Sequence, residues 1–212
     1  MADSLKLRII GSVLFGGAIL GAIMAGGVYF QLLSAIFLVA MLYEWFVMNR
    51  NKKSLLYVLG NVYILIPMLF WICADRERVN SATLFYIFTI VWSCDVFAYF
   101  GGKLLKGAKL APKISPNKTW SGVIVGFVFA FVASYFYMRV FGKEAINFRE
   151  IILSAVLVLA SIFGDLLESK VKRILGVKDS GNIIPGHGGL CDRLDSFLLA
   201  SYVLAIVKFV GL

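Results

Sequence analysis

Seven apolar runs, at residues 9–25, 28–48, 55–73, 83–100, 123–140, 151–167 and 197–210, dominate this 212-residue chain and limit what it can fold into. A helix needs roughly 20 predominantly apolar residues to cross the hydrocarbon core of a bilayer. The pattern therefore predicts an all-α fold: a polytopic integral membrane protein with about seven transmembrane helices. Hydrophobic residues make up 60% of the chain, above the about 45–50% of soluble domains. Seven spans leave no length for a separate soluble domain, so residues 1–212 read as a single transmembrane domain.

Lys6 and Arg8 precede the first run, as in a signal peptide, but the second run follows with only Gly26 and Gly27 between. A helical hairpin fits better. The three cysteines, Cys73, Cys94 and Cys191, lack C-x-x-C spacing and predict neither a disulfide framework nor a zinc site. Net charge is +9 from 21 basic and 12 acidic residues. With seven spans, Arg76, Arg78, Arg139, Lys143, Arg149 and Lys208 fall on one side, and the other 15 of the 21 basic residues share the opposite side with the N-terminus. The positive-inside rule puts that second side in the cytoplasm, together with two long loops, 101–122 and 169–193. This asymmetry explains the net charge without nucleic acid, which is not expected as a partner.

Acids in or beside spans are informative because a charge at the bilayer centre costs roughly 2.5–3.5 kcal/mol on insertion scales. Glu44, near the cytoplasmic end of its helix, is expected to snorkel or to pair with Arg50 or Lys52. Asp95 lies inside an apolar run, where a structural hydrogen bond and a functional role are both open. Asp165, Glu168, Ser169, Lys172 and Arg173 line one face if their helix continues beyond the membrane.

The loop after them contains Lys178-Asp179, then Pro185-Gly186-His187-Gly188-Gly189, then Asp192-Arg193-Leu194-Asp195. Its glycines let backbone N–H groups approach a ligand closely, which suits polyphosphate. His187 is the only histidine, which excludes a multi-histidine metal site and leaves hydrogen bonding or general-base work. Asp192 and Asp195 share a face at a helix start. They can cap that helix, or they can meet the oxygen-ligand demand of a hard cation that also binds phosphate. The other loop carries Gly101-Gly102-Lys103 and Ser115-Pro116-Asn117-Lys118-Thr119-Trp120, without Walker A spacing.

The stretch Ser169-Lys170-Val171-Lys172-Arg173, with Lys178-Asp179, Pro185-Gly186-His187-Gly188-Gly189 and Asp192-Arg193-Leu194-Asp195, resembles the signature of the phosphatidate cytidylyltransferase family. Asp95-x-x-Ala98-Tyr99 and the 115–120 segment are similar to upstream motifs of that family, so the resemblance covers about residues 95–196. Asn117 departs from an expected lysine, and Ser121 from a glutamate that usually precedes glycine. The resemblance implies a nucleotidyltransferase that moves CMP from CTP to phosphatidate, giving CDP-diacylglycerol and pyrophosphate. It implies Mg²⁺ as cofactor, with Asp165, Asp192 and Asp195 as metal ligands. Lys172, Arg173, Lys178 and Arg193 are expected as phosphate clamps, and His187 with Asp179, Gly186, Gly188 and Gly189 around the triphosphate. Ser115, Lys118 and Thr119 are expected on substrate phosphate, and Asp95 as a polar anchor. The expected setting is the inner (plasma) membrane with the N-terminus and active site cytoplasmic, and a homodimer is a compatible assembly. Two other readings stay open. One is a CTP-using transferase or kinase acting on another membrane lipid, such as an isoprenoid alcohol or ether lipid. The other is an ion-coupled transporter, which would place polar residues at mid-depth in several spans.

Overall fold

A computed structural model describes residues 2–50, 55–73, 81–141, 148–184 and 188–210. Among them are seven helices: α1 (Ala2–Ala25), α2 (Gly27–Asn49), α3 (Leu55–Cys73), α4 (Ser81–Leu105), α5 (Trp120–Val140), α6 (Phe148–Leu175) and α7 (Cys191–Val210). Five contain stretches long and apolar enough to cross a membrane: Gly27–Asn49, Leu55–Cys73, Ala82–Leu105, Trp120–Val140 and Phe148–Leu175. The apolar part of α1 is the shorter Ile10–Ala25, and α7 opens on Asp192, Arg193 and Asp195. Large apolar side chains such as Val13, Met24, Val39, Ile124, Phe136 and Phe163 are exposed, the reverse of a water-soluble surface. The chain is a multi-pass membrane protein.

The all-α expectation holds, with one small β-hairpin added to it. Strands β1 (Lys109–Ala111) and β2 (Ser115–Thr119) pair antiparallel inside the first long loop. That loop is also shorter than expected, because α4 continues through Gly101 and Gly102 to Leu105.

The chain divides into two compact units. The first comprises residues 1–81 and 172–194, the second residues 82–171 and 195–212. In the first unit Gly26 and Gly27 both have positive φ, which lets the chain reverse between α1 and α2. Phe15 then stacks on Phe37. The α2 and α3 helices meet around the Trp45 indole, whose Nε1 donates to the Tyr57 carbonyl at 3.0 Å. Gly60 faces that indole, and any side chain there would collide with the ring.

In the second unit α5 buries Gly122, Gly126, Ala130, Ser134 and Met138, one residue every four, so a single stripe faces its neighbours. A Cβ on Gly126 would lie 2.7 Å from the Cys94 carbonyl oxygen, and one on Gly122 2.6 Å from that of Ala98. Small residues on α5 therefore let it approach the α4 backbone, and Phe97 stacks on Phe129 beside that approach at 4.1 Å between centroids. Farther along, the Tyr86, Ser134 and Ser154 hydroxyls satisfy one another among the apolar packing.

Candidate active site

In the first unit the site starts from the way α6 ends. Gly176 has φ of 74°. The Val177 N–H bonds back to the Lys172 carbonyl at 2.9 Å, and the Gly176 N–H to that of Arg173 at 3.1 Å. This is the hydrogen-bond pattern of a glycine-terminated helix, and it turns the chain sharply into the loop. Lys172, one turn before the stop, is buried and pairs with Asp192 of α7.

Asp192 is held from several directions. Its Oδ1 meets the Lys172 ammonium. Its Oδ2 accepts the backbone N–H of Ser180 and that of Gly189, each at 2.9 Å. Asp192 lies outside the five apolar spans. Burial opposes its ionisation, but Lys172 and the two N–H donors outweigh burial and hold its carboxyl below the ordinary carboxylate range.

Glu44 of α2 overturns its expected role. It neither snorkels nor faces Arg50, and Lys52 lies outside the described residues. Its side chain is 2% exposed. Oε1 accepts the Leu190 N–H at 2.8 Å, and Oε2 accepts the Cys191 N–H at 2.9 Å and the Ser180 hydroxyl at 3.0 Å. Leu190 immediately precedes α7 and Cys191 begins it, so Glu44 satisfies donors left open at that helix end.

The loop glycines follow from these carboxylates. A Cβ on Gly181 would sit 2.9 Å from Glu44 Oε1, and one on Gly189 2.6 Å from Oε2. Gly188, with φ of 86°, abuts Asp192 Oδ2, and its carbonyl accepts the Ile184 N–H, closing the loop on itself. The close backbone approach expected of these glycines is present, and for Gly181 and Gly189 it serves the protein's own acids. Lys178, Asp179, Arg173 and Arg193 are exposed along the same segment. Gly186 and His187 lie outside the described residues.

In the second unit Lys118 of β2 pairs with Asp165 of α6, which also accepts the Ser169 hydroxyl at 3.3 Å. Asp95 of α4 is exposed and accepts the Ser196 hydroxyl at 3.4 Å. Asp195 accepts the Ser196 backbone N–H at 2.7 Å. Thr119 is buried and caps α5 by accepting the Gly122 N–H at 3.1 Å. Ser115 pairs opposite Ala111 in the hairpin. Ser121, which departs from the expected pattern, donates to the Lys106 carbonyl and so ties α5 to the turn where Lys106 and Gly107 have positive φ. Asn117 is exposed. Among the described residues no three His, Cys, Asp or Glu side chains gather closely enough to hold a metal ion by themselves.

Sequence reasoning missed Glu44 as part of this arrangement. The available signal was its place between Met41, Leu42, Trp45 and Phe46, where an acid without partners is costly.

The sequence pattern of the Cytidylyltransferase family matches residues 52–210. A phosphatidate cytidylyltransferase of Rickettsia bellii is 38% identical over 215 aligned residues, spanning 97% of this chain and 91% of the relative. One from Rickettsia prowazekii is 39% identical, spanning 97% and 92%. One from Brucella abortus is 32% identical, spanning 95% and 92%.

Proposed function

Because the chain belongs to the cytidylyltransferase family, we propose that it is a CTP:phosphatidate cytidylyltransferase. A phosphate oxygen of phosphatidate attacks the α-phosphorus of CTP, pyrophosphate departs, and CDP-diacylglycerol stays in the membrane. The observation that carries this reading is the 169–195 segment, whose loop, helix ends and Lys172 converge on the single carboxylate of Asp192.

Transfers at phosphorus need alignment and charge neutralisation more than a covalent intermediate. Lys172, Arg173, Lys178 and Arg193 supply positive charge for the triphosphate. Arg173 offers the planar fork that suits phosphate oxygens. Lys118 and Ser115 on β2 are assigned to substrate phosphate. His187, Gly186, Gly188, Gly189 and Asp179 are assigned to holding the nucleotide. Asp192 in the first unit, and Asp165 with Asp195 in the second, are assigned as Mg²⁺ ligands. Each of these acids offers the carboxylate oxygens that a hard cation takes as ligands. Phosphate and water oxygens would complete the shell. Bound Mg²⁺ supplies charge neutralisation on the reacting phosphates. The active site is assigned to the cytoplasmic face of the plasma membrane from the 15 basic residues on that side.

The test is incubation of purified protein in detergent with labelled CTP and separate lipid acceptors. CTP-dependent conversion of phosphatidate, with release of pyrophosphate, is expected. Transfer only to an isoprenoid alcohol or an ether lipid would replace this reading.

A further inference from the structure

Glu44 lies 125 residues or more before the segment that carries the family signature, in a different helix, yet its carboxylate is engaged wholly by that segment. An ionised carboxylate buried to 2% exposure is unfavourable unless it is hydrogen-bonded, and here three donors meet its two oxygens. One of those donors links it to the reaction site. The Ser180 hydroxyl donates to Glu44 Oε2 at 3.0 Å and accepts the Asp192 N–H at 3.3 Å, while the Ser180 N–H donates to Asp192 Oδ2. Ser180 therefore fastens both the backbone and the carboxylate of Asp192, and Glu44 fastens Ser180. The Leu190 and Cys191 N–H groups fix the α7 start from which Asp192 projects. Gly181 and Gly189 leave no room for a side chain against Glu44, so loop and carboxylate fit closely on two sides.

We propose that Glu44 is a positioning residue for the transfer reaction: through Ser180 and the N–H groups of Leu190 and Cys191 it holds the backbone at Ser180 and at the α7 start, and with them the Asp192 carboxylate, in their working arrangement. This inference rests on the activity assigned above. A glutamine at 44 keeps the shape but presents an NH₂ group to donors, and an aspartate keeps the charge but withdraws it by one methylene.

The experiment compares wild type, Glu44→Gln, Glu44→Asp and Ser180→Ala, purified in detergent. Turnover per folded molecule, KM and hydrogen exchange over residues 179–194 are measured for each. Glu44→Gln and Ser180→Ala should each lower kcat roughly 10- to 100-fold, with KM for phosphatidate little changed. Glu44→Asp should not rescue, because reach rather than charge is lost. The double variant should be no worse than the poorer single one, since both act through the same link. Exchange should rise at the amides of Ser180 and 189–191 while α3 stays protected. Wild-type kcat per folded molecule in Ser180→Ala, or in a folded Glu44→Gln, overturns the proposal. So does a loss of activity that only follows the loss of folded protein. If Glu44→Gln does not fold, Ser180→Ala decides alone. If wild type itself shows no CTP-dependent transfer, the assigned activity has failed, and the exchange comparison still decides whether Glu44 holds the loop.

Discussion

Asp192 in the first unit and Asp165 in the second are both acids paired with a lysine, but they are built differently. The Asp192 and Lys172 side chains are 9% and 11% exposed, and Asp192 adds two backbone N–H donors to its lysine. The Asp165 and Lys118 side chains are 26% and 25% exposed, and the other partner of Asp165 is the Ser169 hydroxyl, again a side chain. Backbone donors are placed by the fold and cannot rotate away, whereas a lysine and a serine can exchange one acceptor for another. The first acid is preorganised. The second is held by side chains alone, and solvent screens its ion pair more strongly.

The sharpest test is to remove each charge without changing shape. Asp192→Asn should lose turnover by roughly 10²-fold or more, the scale of losing a preorganised electrostatic group. Asp165→Asn should also lose most turnover if its carboxylate meets a cation during the reaction. Steady-state kinetics checks both, and a variant that keeps most of its turnover reduces that acid to a structural ion pair. Removal of divalent ions is nearly as strong a test. EDTA should abolish transfer and Mg²⁺ should restore it, whereas activity that survives EDTA would leave both acids as lysine partners only.

A smaller loss is expected on the positive side of the first unit. Arg173→Lys keeps charge but removes the planar fork, and should lower kcat/KM about tenfold, the scale of one charged hydrogen bond. Unchanged kinetics would mean that a point charge suffices. Stability gives a milder contrast. Gly176→Ala forces a side chain into the left-handed turn that ends α6 and should cost about 1–2 kcal/mol, read as a lowered unfolding temperature. A neutral result would show that the turn relaxes elsewhere.

The smallest effect concerns pH. The Asp192 carboxyl is held below its ordinary range, so the stability it contributes is present above the unfolded-state value of about 4 and fades as pH falls through the lower folded-state value. The unfolding-temperature gap between wild type and Asp192→Asn should be full at neutral pH and should close below about pH 4. A gap independent of pH would mean that the network does not depend on the ionised form.

Much of the candidate site was legible because its residues lie close together in the chain. The helical spacing from Asp165 to Arg173 anticipated one continuous helix, and α6 does run to Leu175. The glycines around His187 announced close backbone approach, and Gly188 and Gly189 show it. What was not legible involved distant partners. Nothing near Glu44 in the sequence points to Ser180, Leu190 or Cys191. The hairpin was hidden because its strands are only three and five residues long and rich in lysine and turn formers. The place of Thr119 as the α5 cap was not legible, because hydroxyls serve both ligands and helix starts and the helix boundary was known only from the structure.

The sequence by itself determined the membrane setting, the helical class and the family, because burial in lipid and a fixed motif spacing are properties of contiguous residues. The tertiary structure alone decided which charge faces which: Lys172 with Asp192, Lys118 with Asp165, and Glu44 with the start of α7. Hydrogen bonds act over about 3 Å, and the chain must fold before residues 136 to 147 positions apart can come within that range.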